Sequence, residues 1–249
     1  MLIKTKSFTL AVNLKGNPNS EKLALVLPGK LDTKDYAHMI SHVDYLANLG
    51  YFALSFDPPG TWESPGDIKI YNMTNYLKAI NELIEYYGNK STFIMGHSRG
   101  AGMAILAGLT NPHITSFVAI FSSFSENGYK DKSDIAKWKE DGYLLEKRDL
   151  PPGGGPKIKE FQLPYSFFED QLKYNVTEGL KHSQKPKLFM LGKHDVLAKP
   201  EVIKKLYRIT SEPKELYELD SDHDYRFHPE LIEEVNKAMG DFLHNYSQI

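Results

Sequence analysis

The residues best placed to do chemistry are a serine and two later strand-end partners. Gly96-His97-Ser98-Arg99-Gly100 matches G-x-S-x-G and stands between an apolar run (92–95) and a small-residue helical stretch (101–109). In a strand-to-helix turn of that kind the hydroxyl points outward. The helix N-terminus beneath it favours developing negative charge. The other use of a serine at such a point is as a helix N-cap. A nucleophilic serine needs a base, and the base needs an orienting acid. The apolar run 187–191 leads through Gly192-Lys193-His194 to Asp195, and the run 216–219 leads through Asp220-Ser221-Asp222 to His223. The order Ser98, Asp195, His223 is that of an acyl-transfer site built on consecutive strand ends. His228, at the start of the last helix, is the rival base, and His194 reads as loop surface. Asp220, Asp222 and Asp224 read as a solvated turn rather than a divalent-ion site. His38 and His42 are four residues apart on a helix, but no Glu follows His38 and no third ligand is evident. Both read as helix surface, and no metal is expected.

The elements that must position these residues alternate between strand and helix. Strands are expected at 22–27, 51–56, 92–95, 117–121, 187–191 and 216–219. Helices are expected at 32–49, with Tyr36, Met39, Ile40, Val43 and Leu46 at helical spacing, at 71–87 and 101–109, and from Pro200 and Pro229 onward. Such alternation predicts a mostly parallel sheet covered on both faces. The alternation stops over 125–185, which is polar and aromatic and includes the loop Pro151-Pro152-Gly153-Gly154-Gly155-Pro156. That length is too great for an ordinary connection, so 1–124 and 186–249 are expected to form the core, with 125–185 as an inserted lid.

Composition narrows the partners. The chain has 249 residues, 41% of them apolar, enough for one sizeable α/β core. With 30 Lys+Arg against 32 Asp+Glu there is no basic surplus for nucleic acid. The absence of cysteine excludes disulfides, thiolate metal sites and cysteine nucleophiles. No apolar stretch approaches membrane-span length, and the opening MLIKTKSFTLAVNLKG alternates like a strand instead of carrying a signal peptide's apolar block. The expectation is a cytoplasmic protein acting on a small molecule, with no nucleic-acid or membrane partner.

At these motifs the chain resembles the α/β-hydrolase superfamily. Within it, the chain is similar to the group that holds cinnamoyl/feruloyl-type esterases, monoacylglycerol-lipase-like enzymes and serine aminopeptidases. Ser166-Phe167-Phe168-Glu169-Asp170, Tyr174-Asn175-Val176 and Lys185-Pro186-Lys187-Leu188-Phe189 resemble the end of the cinnamoyl-esterase lid and the entry to the next strand. The resemblance implies an eight-stranded sheet with a lid after the sixth strand, a Ser98–His223–Asp195 triad and no cofactor. It also implies an oxyanion hole from the backbone N–H groups of Lys30 and Arg99. The sequence departs from the family twice. Pro28-Gly29 replaces His-Gly ahead of Lys30, and Trp62 stands where the D-x-x-G-x-G-x-S pattern has its second glycine. The Trp62 ring either packs on the sheet or reaches the pocket. With Trp138, Phe167 and Phe168 it is a candidate pocket residue. The implied activity is hydrolysis of carboxylic esters of small or aromatic acids. An aminopeptidase or amidase on the same triad, and a non-catalytic ligand-binding hydrolase fold, are the alternatives.

Overall fold

The computed structural model describes residues 1–122, 132–151 and 157–246. The loop at 151–156, apart from Pro151, therefore lies outside the described residues, as do 125–131 of the expected lid and 123–124 before it. The N-terminal alternating segment forms two strands, β1 (Leu2–Lys4) and β2 (Thr9–Lys15), paired antiparallel. The core continues as β3 (Lys22–Leu27), α1 (Ala37–Asn48), β4 (Phe52–Phe56), α2 (Met73–Tyr86), β5 (Ser91–His97), α3 (Arg99–Thr110) and β6 (Ile114–Ile120). After an insertion it resumes as β9 (Lys187–Gly192), α7 (Pro200–Ile209), β10 (Lys214–Leu219) and α8 (Pro229–Tyr246). The insertion holds α4 (Lys132–Asp141), a hairpin of β7 (Tyr143–Asp149) and β8 (Ile158–Pro164), α5 (Tyr165–Gln171) and α6 (Thr177–His182).

Eight strands form one sheet in the order β1-β2-β4-β3-β5-β6-β9-β10, parallel from β4 onward, and β7-β8 stand apart as an antiparallel pair. The central strands are apolar on both faces because helices cover both: β3 is buried from Leu23 to Leu27 and β4 throughout. On the cover, α1 packs against α8, and α2 against α3. Because β5, β9 and β10 are parallel, their carboxyl ends lie on one edge of the sheet, and the loops that follow them converge there. No described helix is long and apolar enough to cross a membrane.

Two local expectations need correction. The helix expected at 32–49 begins at Ala37, because the preceding residues are tied to Asp57. The Thr33 hydroxyl and the Lys34 N–H donate to Asp57 Oδ1 at 2.8 and 3.0 Å. The buried stripe of α1 is His38, Met39, His42, Val43 and Leu46, while Ile40 is 38% exposed. His38 and His42 are thus interior groups and not helix surface. His42 faces α8, with Asn236 Oδ1 at 2.6 Å, and meets Tyr225 Oη at 2.8 Å, while the His38 ring lies against those of His97 and Tyr225.

Candidate active site

Ser98 sits between β5 and α3 with φ +53° and ψ −116°, a backbone conformation that is strained for any residue but glycine. Its neighbours make the turn possible. A Cβ on Gly96 would lie 2.3 Å from the Gly100 carbonyl carbon, and one on Gly100 would lie 2.1 Å from the Leu27 oxygen. Only glycines let these backbones approach so closely. The Ser98 N–H donates to Ile120 O at 2.8 Å, holding the turn to β6. The side chain makes no capping bond to α3, so the N-cap reading does not describe it. Ser98 Oγ lies instead 2.9 Å from His223 Nε2.

The loops after β9 and β10 bring the two partners in. They are laced together by Lys193 N–H to Leu219 O (2.9 Å) and His194 N–H to Ser221 O (3.0 Å). His223 Nδ1 is 2.7 Å from Asp195 Oδ2. The other carboxylate oxygen, Oδ1, accepts the N–H groups of Leu197 and Ala198, each at 2.8 Å. Burial opposes ionisation of Asp195. The hydrogen bond and charge of His223, with these two N–H donors, outweigh it and hold the carboxyl below its ordinary pKa. An ionised Asp195 takes the Nδ1 proton as its hydrogen bond, which leaves the Nε2 lone pair facing the serine hydroxyl. The rival histidines stand elsewhere. His228, half exposed, is 3.6 Å from Glu230, and the exposed His194 ring bonds Asp220 at 2.8 Å.

Gly29 presses against Ser98: a Cβ there would come 3.4 Å from Ser98 Cβ and 2.5 Å from Asp32 Oδ2. This places the Lys30 backbone beside the serine. Arg99 opens α3, where first-turn N–H groups have no partner inside the helix. Pro28 cannot supply the hydrogen bonds of the histidine it replaces, and the structure shows what does. Tyr76 Oη donates to Pro28 O (3.1 Å), Leu31 N–H donates to Tyr71 Oη (3.1 Å) and Trp62 Nε1 donates to Leu31 O (2.8 Å). The Lys30 carbonyl accepts from Arg148 on β7.

Trp62 therefore braces the loop carrying Lys30 by its indole N–H, with the ring against Tyr36 and Phe161 at 6.1 and 5.5 Å. It adopts φ +47°, the left-handed region that a glycine enters freely. Trp138 is buried within the insertion, its N–H on Leu163 O (2.9 Å) and its ring 5.9 Å from Phe168. Phe167 meets the residue that follows the serine. It stacks on Tyr71 at 5.2 Å, with the Arg99 guanidinium 5.3 Å from its ring. The Arg99 side chain also bonds Met73 Sδ (3.1 Å) and Gln171 Oε1. Sequence reasoning missed Glu146 and Arg148, whose like is common on any solvated strand.

It also missed a buried group behind His223. His97 Nε2–H donates to the His223 carbonyl at 3.0 Å, and His97 Nδ1 lies 3.8 Å from Asp32 Oδ2. Burial lowers the pKa of His38 and His97 and takes His42 down to about 4, so these rings are neutral. Burial opposes the charge on Asp32, but the Arg148 guanidinium beside it helps to hold its pKa well down. Ligand atoms of Asp32, His38 and His97 lie within 4.8 Å of one another. Helical spacing of His38 and His42 with Met39, Val43 and Leu46 was the available signal of their burial.

Residues 25–144 match the family model described as alpha/beta hydrolase fold. No curated protein sequence matches the chain. Among solved structures it is similar to the α/β hydrolase GrgF from Penicillium sp. sh18, with a TM-score of 0.80 at 16% identity over 100% of this chain and 98% of that one. It is also similar to Est1E from Butyrivibrio proteoclasticus, solved with ferulic acid bound (TM-score 0.76, 18% identity, 100% of both chains). A third is the monoacylglycerol lipase of Paleococcus ferrophilus (TM-score 0.76, 21% identity, 94% of this chain and 98% of that one). The chain has the α/β-hydrolase fold, and its residues 25–144 match the model of that family.

Proposed function

We propose that this protein hydrolyses carboxylic esters of small or aromatic acids through an acyl-enzyme on Ser98. One observation carries the reading: the unbroken line from Ser98 Oγ to His223 (2.9 Å) to Asp195 (2.7 Å) at a strained turn. His223 takes the hydroxyl proton as Oγ attacks the ester carbonyl, and the N–H groups of Lys30 and Arg99 stabilise the oxyanion. His223 returns the proton to the departing alcohol. A water, deprotonated by the same ring, then cleaves the acyl-enzyme and releases the acid. Asp195 keeps the imidazole tautomer and stabilises the imidazolium. The insertion acts as a lid whose aromatic residues favour flat or short acyl groups, in keeping with the ferulic acid held by Est1E. An aminopeptidase would need a carboxylate available to a free amine, whereas Glu146 is engaged by Lys30, and Asp32 lies against Arg148 and His97.

The test is a plate of p-nitrophenyl esters from C2 to C12, methyl ferulate and aminoacyl-nitroanilides, with a fluorophosphonate probe alongside. Ester turnover that peaks at C2–C4 or on ferulate is expected, with probe on Ser98 alone and turnover lost by several orders of magnitude in Ser98→Ala. A peak at C8 or longer removes the acyl assignment. Labelling at another serine, or a fully active Ser98→Ala, removes the mechanism.

A further inference from the structure

The Lys30 N–H lies in the Gly29–Lys30 peptide plane, and both that plane and the next, which carries the Lys30 carbonyl, are held. On one side Gly29 O accepts the Asp32 N–H at 3.2 Å. On the other, Leu31 N–H is fixed by Tyr71 Oη (3.1 Å), and the Lys30 carbonyl takes two bonds from Arg148, through Nε at 3.1 Å and Nη2 at 2.5 Å. Arg148 Nε is also 3.6 Å from Asp32 Oδ1, so one guanidinium ties the hairpin to both ends of this short loop. Glu146, on the same face of β7, accepts from Lys30 Nζ at 2.7 Å. Asp149, which follows Arg148, receives a two-pronged ion pair from Arg226, which follows His223 closely in the chain, at 2.8 and 2.9 Å. One strand of the insertion thus grips both the loop that carries Lys30 and the loop that carries His223.

We propose that Arg148 is a positioning residue for the oxyanion hole, fixing the orientation of the Lys30 N–H by clamping the Lys30 carbonyl from the insertion. This rests on the ester-hydrolase reading of Ser98. A backbone donor displaced by a fraction of its hydrogen-bond length loses its value where charge develops in the transition state, not in the ground state. The signature is therefore a fall in kcat with little change in KM.

The test uses Arg148→Met, which keeps the apolar stem, Arg148→Lys, which keeps one donor and the charge, and Lys147→Ala on the opposite face of β7 as control. Arg148→Met should lower kcat about 10- to 100-fold with KM within about twofold. Its affinity for phenylboronic acid, which forms a tetrahedral oxyanion on the serine, should fall by the same factor. Arg148→Lys should recover part of both, and Lys147→Ala should match wild type. Thermal melts identify a variant that fails to fold. If Arg148→Met does so, Arg148→Lys decides, expected to lose kcat and boronate affinity in parallel at unchanged Tm. Wild-type kcat and boronate affinity in the folded variant, or a change in KM alone, overturns the inference. Resistance of wild-type Ser98 to the fluorophosphonate overturns the reading beneath it, a result distinct from the other two.

Discussion

Replacing Asp195 by Asn changes one atom in the line to the serine, and the structure dictates how the amide will sit. Oδ1 holds the N–H groups of Leu197 and Ala198, and Oδ2 faces His223 Nδ1. If the amide oxygen keeps the two backbone donors, its NH2 points at Nδ1. The ring must then offer a lone pair there and carry its proton on Nε2, against Ser98 Oγ, where it cannot act as a base. The opposite orientation restores the working tautomer but sets NH2 against the buried Ala198 N–H and the part-buried Leu197 N–H. Each donor left unpaired costs about 1–3 kcal/mol, so the productive orientation is disfavoured by about 2–6 kcal/mol. That corresponds to a kcat loss between about 30-fold and 10⁴-fold, since every 1.36 kcal/mol is a factor of ten. The assay is p-nitrophenyl acetate turnover at pH 8, with a thermal melt for folding and ¹⁵N NMR of the His223 ring for the tautomer. The protonated nitrogen should move from Nδ1 to Nε2. A folded Asp195→Asn enzyme within about fivefold of wild type, or one inactive with its proton still on Nδ1, would falsify the reasoning.

Two further outcomes follow from the geometry. His223→Ala should be as damaging as Ser98→Ala, several orders of magnitude in kcat, whereas His228→Ala should stay within about twofold, and a severe His228→Ala would move the base. Lys187 is fully buried with its ammonium on the carbonyls of Ser183 and Ser211, and burial takes its pKa down from 10.5 to about 8. Below pH 8 the lysine is charged in both folded and unfolded chains and its burial is felt in full. Between pH 8 and about 10.5 the unfolded state binds more protons, so stability rises with pH, by about 3 kcal/mol at most. Urea unfolding at pH 7.5 and 10 should show wild type gaining on Lys187→Met over that interval, and a constant difference would refute it.

The proposed catalytic line was legible because each member sits where a pattern ends: Ser98 where apolar residues give way to glycine and helix, Asp195 and His223 just past apolar runs. The insertion was not. In β7 the alternation is complete, but the inward positions after Leu144 are Glu146 and Arg148, so the polarity contrast that marks a half-buried strand is missing. The stripe of α1 was misread for a related reason. Histidine is polar in composition, yet His38 and His42 are buried neutral rings, and weighting Ile40 above them rotated the expected inner face. Trp62 was left open between surface and pocket, and it does something no periodicity encodes: it donates a hydrogen bond to the carbonyl of Leu31, itself at φ +58°.

Strands β6 and β9 are neighbours in the sheet although the whole insertion lies between them in the chain. The sheet therefore closes without drawing on the intervening segment, which makes that segment an exchangeable module, open to replacement as ligands change. The exchange is not free. Carbonyl groups of the core at Lys30 and Trp62 are claimed by Arg148 and Lys159 of the hairpin. A substitute segment inherits those acceptors and must present donors to them.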